Sequence, residues 1–212
     1  SGFHSTFVGT NNDSSVQFVL NGVSSGIDFG LNNPGDYCQA DPRLATSCFV
    51  EGNQISGTNK DNPVVVSFPY SASGQDPSVE IGEALAKQVG STWGLAYHRT
   101  SRSLLVAAYV KRGAGLGPGS GNGTSDGTGT IYRITPGNPA DGTAFIDLDD
   151  LLGASTTGAD PHTDFSPGPP DFDAGAFDAV GKVALGDIDI SEDDATLYAV
   201  NLADRKLYLL PI

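Results

Sequence analysis

Residues 186–210, GDIDISEDDATLYAVNLADRKLYLL, decide the fold class, because three strand-forming runs follow one another with only tight polar turns between them. Asp187-Ile188-Asp189-Ile190 alternates polar and apolar, and Thr196-Leu197-Tyr198-Ala199-Val200 is rich in β-formers. Lys206-Leu207-Tyr208-Leu209-Leu210 resumes the pattern. Between them, Ser191-Glu192-Asp193-Asp194 and Ala203-Asp204-Arg205 are residues that close turns by hydrogen-bonding their own backbone. The stretch therefore reads as a three-stranded meander.

The same pattern recurs once. A shift of 92 residues lays Trp93-Gly94-Leu95-Ala96-Tyr97-His98 over 185–190 and Leu104-Leu105-Val106-Ala107-Ala108 over 196–200, so that Gly94 meets Gly186, Leu105 meets Leu197 and Ala107 meets Ala199. Ile131-Tyr132-Arg133-Ile134 then answers Leu207-Tyr208-Leu209-Leu210. Leu105 and Ile131 are 26 positions apart and Leu197 and Leu207 are 10 apart, so the first copy carries 16 extra residues, a Gly-rich insert. A meander repeated at this spacing predicts an all-β fold containing part of a β-propeller, about two blades. Gly142-Thr143-Ala144-Phe145-Ile146-Asp147 supplies the outer strand of the first blade. The run 64–70, with Pro63 and Pro69 at its margins, suits an edge strand, the kind that completes a last blade. Only 81–87, IGEALAK, looks helical, for a single turn at most. Counted this way the chain holds eight propeller strands, too few to close, and leaves the edge at 207–212 unpaired.

Composition agrees with this class. The 28 glycines and 13 prolines make up about a fifth of 212 residues, which favours a turn-rich β protein, and 38% hydrophobic content excludes wholesale disorder. A net charge of −14 repels phosphate backbones and anionic lipid, so no nucleic acid is expected as partner. No apolar run is long enough to span a bilayer, and no membrane insertion is expected in this segment. The chain opens without an initiator Met and contains no Met at all, as a mature fragment or a piece of something longer would.

Cys38 and Cys48 are the only cysteines, nine residues apart, with no histidine near enough to join them in a metal site. They read as a disulfide, which places the chain outside the reducing cytosol; two reduced thiols are the alternative. Residues 1–33 stand apart. Val16-Gln17-Phe18-Val19-Leu20 and Gly26-Ile27-Asp28-Phe29-Gly30 form two strands around the turn Asn21-Gly22. The stretch SSVQFVLNGVSSGIDFGLNNPGDYC resembles the last strands of the B-type (SdrD-like) immunoglobulin-like β-sandwich repeats of large multidomain bacterial surface proteins. That resemblance implies that 1–33 is the end of such a repeat; the cysteine pair then makes 34–61 a disulfide-stapled linker, and the repeated meander makes 62–212 the partial propeller.

Inside the last region, 112–130 holds eight glycines but no Lys-Ser or Lys-Thr pair and no dinucleotide fingerprint, which leaves a flexible hairpin extension. The acidic, Pro-rich loop 148–180 offers Asp160, Asp164, Asp171 and Asp173, with Asp178 nearby, as hard oxygen ligands for Ca²⁺, or simply a solvated loop. Asp187 and Asp189 share one strand face, lining a channel or facing solvent. Asn122-Gly123-Thr124 and Asn12-Asp13-Ser14 match a glycosylation acceptor, with Asn122 in the more exposed setting. His4, His98 and His162 fall in no zinc-protease spacing, His98 reads as a turn residue, and no nucleophile elbow is present. The expected function is a secreted or cell-surface structural or adhesive protein, a non-catalytic scaffold whose partners are other copies or remaining segments of a larger assembly. A metal-dependent propeller hydrolase or a carbohydrate-binding propeller is the alternative.

Overall fold

A strand that is apolar on both faces has to be covered from both sides, and 103–108, SLLVAA, is such a strand. The computed structural model describes residues 4–7, 30–32, 41–74, 77–122, 126–137, 141–165 and 172–212. It divides into two units, Ser1–Arg43 and Leu44–Ile212. In the smaller, β1 (His4–Phe7) pairs antiparallel with β2 (Gly30–Asn32), His4 opposite Asn32. The hairpin expected at 16–30 and Asn12 lie, apart from Gly30, outside the described residues.

Ten further strands form three sheets. The first holds β3 (Arg43–Ser47), β4 (Pro63–Pro69) and β5 (Ile81–Leu85), in that order. The second holds β6 (Thr92–His98), β7 (Ser103–Ala108), β8 (Thr130–Ile134) and β9 (Thr143–Asp147), and the third β10 (Leu185–Ile190), β11 (Thr196–Asn201) and β12 (Lys206–Pro211). The protein is all-β, with short helical turns at Ala86–Val89, Leu148–Leu152 and Ala174–Ala179.

The second sheet lies between the other two. Leu104, Val106, Ala108, Tyr132 and Ile134 turn towards Val64, Val65, Ala84, Ala86 and Val89 in one core. On the opposite face Ala96, Leu105, Ala107 and Ile131 meet Ile188, Leu197, Ala199 and Leu210 in a second core. The alternation along β7 sends successive side chains into different cores, which is why no polar residue after Ser103 is tolerated there. At the end of the second core the Asp194 carboxylate accepts from the Thr100 amide (2.8 Å) and from Arg99 Nε (3.1 Å), fastening the β10–β11 turn to the β6–β7 turn. His98, buried at the end of β6, adds a contact of 3.2 Å from Nε2 to the Asp194 carbonyl.

Four expectations need correction. The repeat runs at 93 residues, one more than the identities suggested: Thr92 opposite Ala108 and Leu95 opposite Val106 are matched by Leu185 opposite Asn201 and Ile188 opposite Ala199. Both pairs of strands carry an irregularity between those two positions. Because side chains alternate, a one-residue slip in the alignment exchanges the two faces of β7. Gly94 and Gly186 are consequently not equivalents but neighbours; a Cβ on Gly94 would lie 2.7 Å from the Gly186 carbonyl oxygen.

Strand β4 is central rather than an edge, because β3 lies within the segment expected to be linker and gives the sheet a third member. Its two prolines sit at the strand ends, where no ladder bond is lost from the middle. Residues 81–85, expected to be helical, form β5, with Ala84 buried opposite Val65; pairing and burial override the helix preference of Glu, Ala and Leu. The Gly-rich insert is not a loose extension. Gly113, Ala114, Gly115, Leu116 and Gly117 are buried, Ala114 bridges to Gly52 and Leu116 to Gly90. Gly90 (φ 62°) and Gly117 approach so closely that a Cβ on Gly90 would stand 1.9 Å from the Gly117 nitrogen. Glycine here permits backbone contact rather than motion.

Candidate functional site

The chemistry-bearing side chains gather in the acid-rich half, where the insert, the loop 148–180 and the end of β9 converge. Asp147 ends β9 and caps the turn Leu148–Leu152: its Oδ1 accepts the Asp149 amide at 3.0 Å, and its Oδ2 accepts the Thr130 hydroxyl at 2.5 Å. Asp149 in turn accepts the Thr157 amide (2.9 Å) and hydroxyl (2.8 Å). The Thr128 hydroxyl lies 3.2 Å from Asp149 Oδ2, 2.9 Å from Thr157 Oγ1 and 2.7 Å from Asp126 Oδ1. Asp147, Asp149, Thr128, Thr130 and Thr157 are all buried. Neutral hydroxyls and amides thus donate to both buried carboxylates.

Asp126 links this knot to a second one, since its Oδ2 accepts the Asp160 amide at 2.6 Å. The Asp160 carboxylate accepts the His162 amide (3.0 Å), and the His162 Nδ1–H donates to Asp173 Oδ2 (2.8 Å). The His162 and Asp173 side chains are 1% and 0% exposed. Asp173, at the left-handed φ of 48° before the turn Ala174–Ala179, also accepts the Gly113 amide at 2.7 Å, so the loop grips the insert. Two atoms here have no hydrogen-bond partner among the described residues, His162 Nε2 and Asp173 Oδ1. Burial, followed by the charges of Asp126 and Asp173, pushes the Asp160 carboxyl above its ordinary range against the opposing pull of His162.

Beside this pair Arg112 Nε donates to the Phe172 carbonyl (2.7 Å), and its guanidinium stands 5.2 Å from the ring centres of both Phe172 and Phe177. Lys111 lies over Phe49 at 5.1 Å, across a cleft of about 250 Å³.

Of the four proposed Ca²⁺ ligands, Asp160 and Asp173 meet around His162, Asp164 is exposed two residues past that histidine, and Asp171 lies outside the described residues. Among the described residues no group of three or more His, Cys, Asp or Glu is arranged to hold a metal ion. Asn122 is exposed and donates to Asp150 Oδ2 at 2.8 Å; Gly123 and Thr124 of its acceptor motif lie outside the described residues. Cys48 is half-buried, and burial, with Glu80 second, raises its thiol pKa. Its expected partner Cys38 lies outside the described residues. Asp126, Thr128, Asp149 and Thr157 carry no sequence motif, and His162 stands in the sequence as a histidine outside any zinc-protease spacing. The one local signal was Asp160-Pro161-His162, an acid two residues before a histidine.

The fold and this site together define an all-β protein with face-to-face sheets and an internally bonded acidic end, and no helix among the described residues is long and apolar enough to cross a membrane. No family model and no solved structure matches the chain. It is similar to three proteins of Dictyostelium discoideum. Colossin-D is 30% identical over 189 residues, 86% of this chain and 19% of that protein. Colossin-A is 27% identical over 194 residues, 87% of this chain and 2% of that protein. Colossin-B is 28% identical over 141 residues, 65% of this chain and 3% of that protein. The chain therefore spans less than a fifth of the length of each relative.

Proposed function

We propose that this chain is a non-catalytic structural module of a large multidomain secreted or cell-surface protein, the tail of an immunoglobulin-like repeat followed by consecutive blades of a propeller. The observation that carries the reading is the stack itself: the central sheet is buried on both faces, and the third sheet repeats the strand pairing of the central one 93 residues later. The polar groups at its end hold loops to one another, as the Asp173 bonds to Gly113 and His162 do. The relatives support it by their size, since each is several times longer than this chain.

Two measurements test it. Intact mass with and without reductant reads the Cys38–Cys48 bond; the expected result is no alkylatable thiol before reduction, and two such thiols would overturn the secreted placement. A screen of lactone and phosphoester substrates with added Ca²⁺ tests the alternative hydrolase reading, which His162 Nε2 and Asp173 Oδ1, without partners among the described residues, favour. Turnover that disappears in His162→Ala would replace the scaffold with an enzyme.

A further inference from the structure

The second sheet has four strands and the third, among the described residues, has three. Strand pairing identifies the fourth. Val200 opposite Leu207 and Tyr198 opposite Leu209 repeat Ala107 opposite Ile131 and Leu105 opposite Arg133, so β12 is the counterpart of β8. On its far side β8 pairs with β9, Ile131 opposite Ile146 and Thr130 opposite Asp147. Beside β12 no strand of the described residues takes that place.

The backbone groups on that edge follow from the register. The Ile212 amide donates to the Ala195 carbonyl at 3.1 Å, and the pairing of β11 with β12 runs without a shift. Because the backbone groups of an antiparallel strand alternate between its two sides, Lys206, Tyr208 and Leu210 bond towards β11 with Ile212. Leu207 and Leu209 therefore turn their amides and carbonyls to the open edge, where Pro211 adds a carbonyl without an amide. Strand β8 has the same phase, since the Leu148 amide donates to the Gly129 carbonyl at 3.0 Å, two residues before Ile131. Lys206, the counterpart of Thr130, stands where an acid in the place of Asp147 would face it. Its ion pair among the described residues is with Asp204 of the adjoining turn, at 3.4 Å. Tyr208 is half-buried at the second core, so a strand added beside β12 would extend that core over it.

We propose that the free edge of β12 is a strand-acceptor site whose occupant is an extended segment of another polypeptide with the pattern of β9: β-forming or apolar residues opposite Leu209, Tyr208 and Leu207, then an acid opposite Lys206. The segment runs antiparallel to β12 and takes up the amides and carbonyls of Leu207 and Leu209, as β9 does those of β8. A second copy of this chain does not offer that pattern in a free strand. Its β9 is already paired with β8, and β12 set against β12 brings no acid to Lys206. The contact is a few backbone bonds long and therefore weak and reversible. The proposal rests on the scaffold reading and names the kind of partner that scaffold holds.

Fluorescence anisotropy of a labelled peptide of residues 142–148, GTAFIDL, titrated with the full chain, tests it. The expected result is saturable binding with a Kd below about 1 mM. Leu209→Pro removes an edge amide but no bond to β11, and should weaken binding about tenfold with the melt unchanged. Lys206→Glu should weaken it as well, and a peptide carrying Asp147→Lys should restore it, which a misfolded variant would not do. No saturation at that concentration overturns the proposal, as does binding indifferent to Leu209→Pro and Lys206→Glu. Light scattering of the chain without peptide adds one more outcome: a dimer that Leu209→Pro dissolves would give the edge to a second copy and overturn the proposal too. Each of these leaves the scaffold reading standing, because that reading falls only to turnover or to free thiols.

Discussion

Two buried acidic clusters, joined through Asp126, are finished in opposite ways. In the first, Asp147 and Asp149 sit among Thr128, Thr130 and Thr157, and their oxygens are met by hydroxyls and amides. In the second, Asp173 and His162 bond to each other at 2.8 Å, yet one buried atom of each has no partner among the described residues. A buried carboxylate is tolerated when neutral donors surround it, whereas an orphaned polar atom retains its desolvation penalty. The first cluster is thus a fastening between β9, the insert and the loop at 157. The second is a fastening that leaves bonding capacity unused, and any ligand chemistry in the acid-rich half belongs there.

The largest expected effect comes from the satisfied knot. Asp149→Ala strands the Thr157 amide and takes the carboxylate acceptor from the Thr157 hydroxyl in a site 1% exposed, and should cost about 3 kcal/mol or more in urea unfolding. Asp149→Asn keeps an acceptor for the Thr157 amide and should cost about 1 kcal/mol. A near-neutral Asp149→Ala would break the comparison by showing that the knot contributes nothing.

Next comes Asp173→Ala, which leaves both the Gly113 amide and His162 Nδ1 without an acceptor and should cost about 2 kcal/mol. His162→Phe keeps a ring beside Phe165, 4.9 Å away and tilted 30°, but takes one donor from the buried Asp173 carboxylate, so it should cost about 1 kcal/mol. Equal costs for the two substitutions, in the same unfolding experiment, would mean that His162 Nε2 contributes a bond after all.

The difference between the clusters was invisible in the sequence, and the reason differs from that for the fold. Strands β10 to β12 were legible because alternation and Asp-rich turns mark them within 25 residues. The repeat was found one residue out of register because β7 reads Leu104-Leu105-Val106-Ala107-Ala108, apolar on both faces, so its pattern carries no phase. Strand β3, RLATS, is short and half polar, and it shows itself only through its pairing with β4. The glycines of the insert signal close backbone approach as readily as flexibility, and only the neighbour at Gly90 decides between them. Thr128, Asp149 and Thr157 lie 21 and 8 residues apart with no shared period, so nothing short of the fold brings them together.

The smallest expected effect concerns Asp160, which sits between the two clusters and sharpens the contrast through its charge. Burial comes first, and the negative charges of Asp126 and Asp173 add to it, so the folded protein holds the Asp160 proton more tightly than the unfolded chain does. Between the unfolded value near 4 and the raised folded value, the folded state binds more protons, and stability falls as pH rises. Above the folded value the full cost persists to neutral pH. Asp160→Asn keeps an oxygen for the His162 amide while removing the charge, and should therefore melt slightly higher than the parent at neutral pH. The gap should narrow as pH drops towards 4 and close below it, where the parent carboxyl is protonated in both states. Thermal melts of the two proteins across that range decide it. If the variant instead melts lower at neutral pH, the charge on Asp160 is being used, and the second cluster holds a cation together with Asp173.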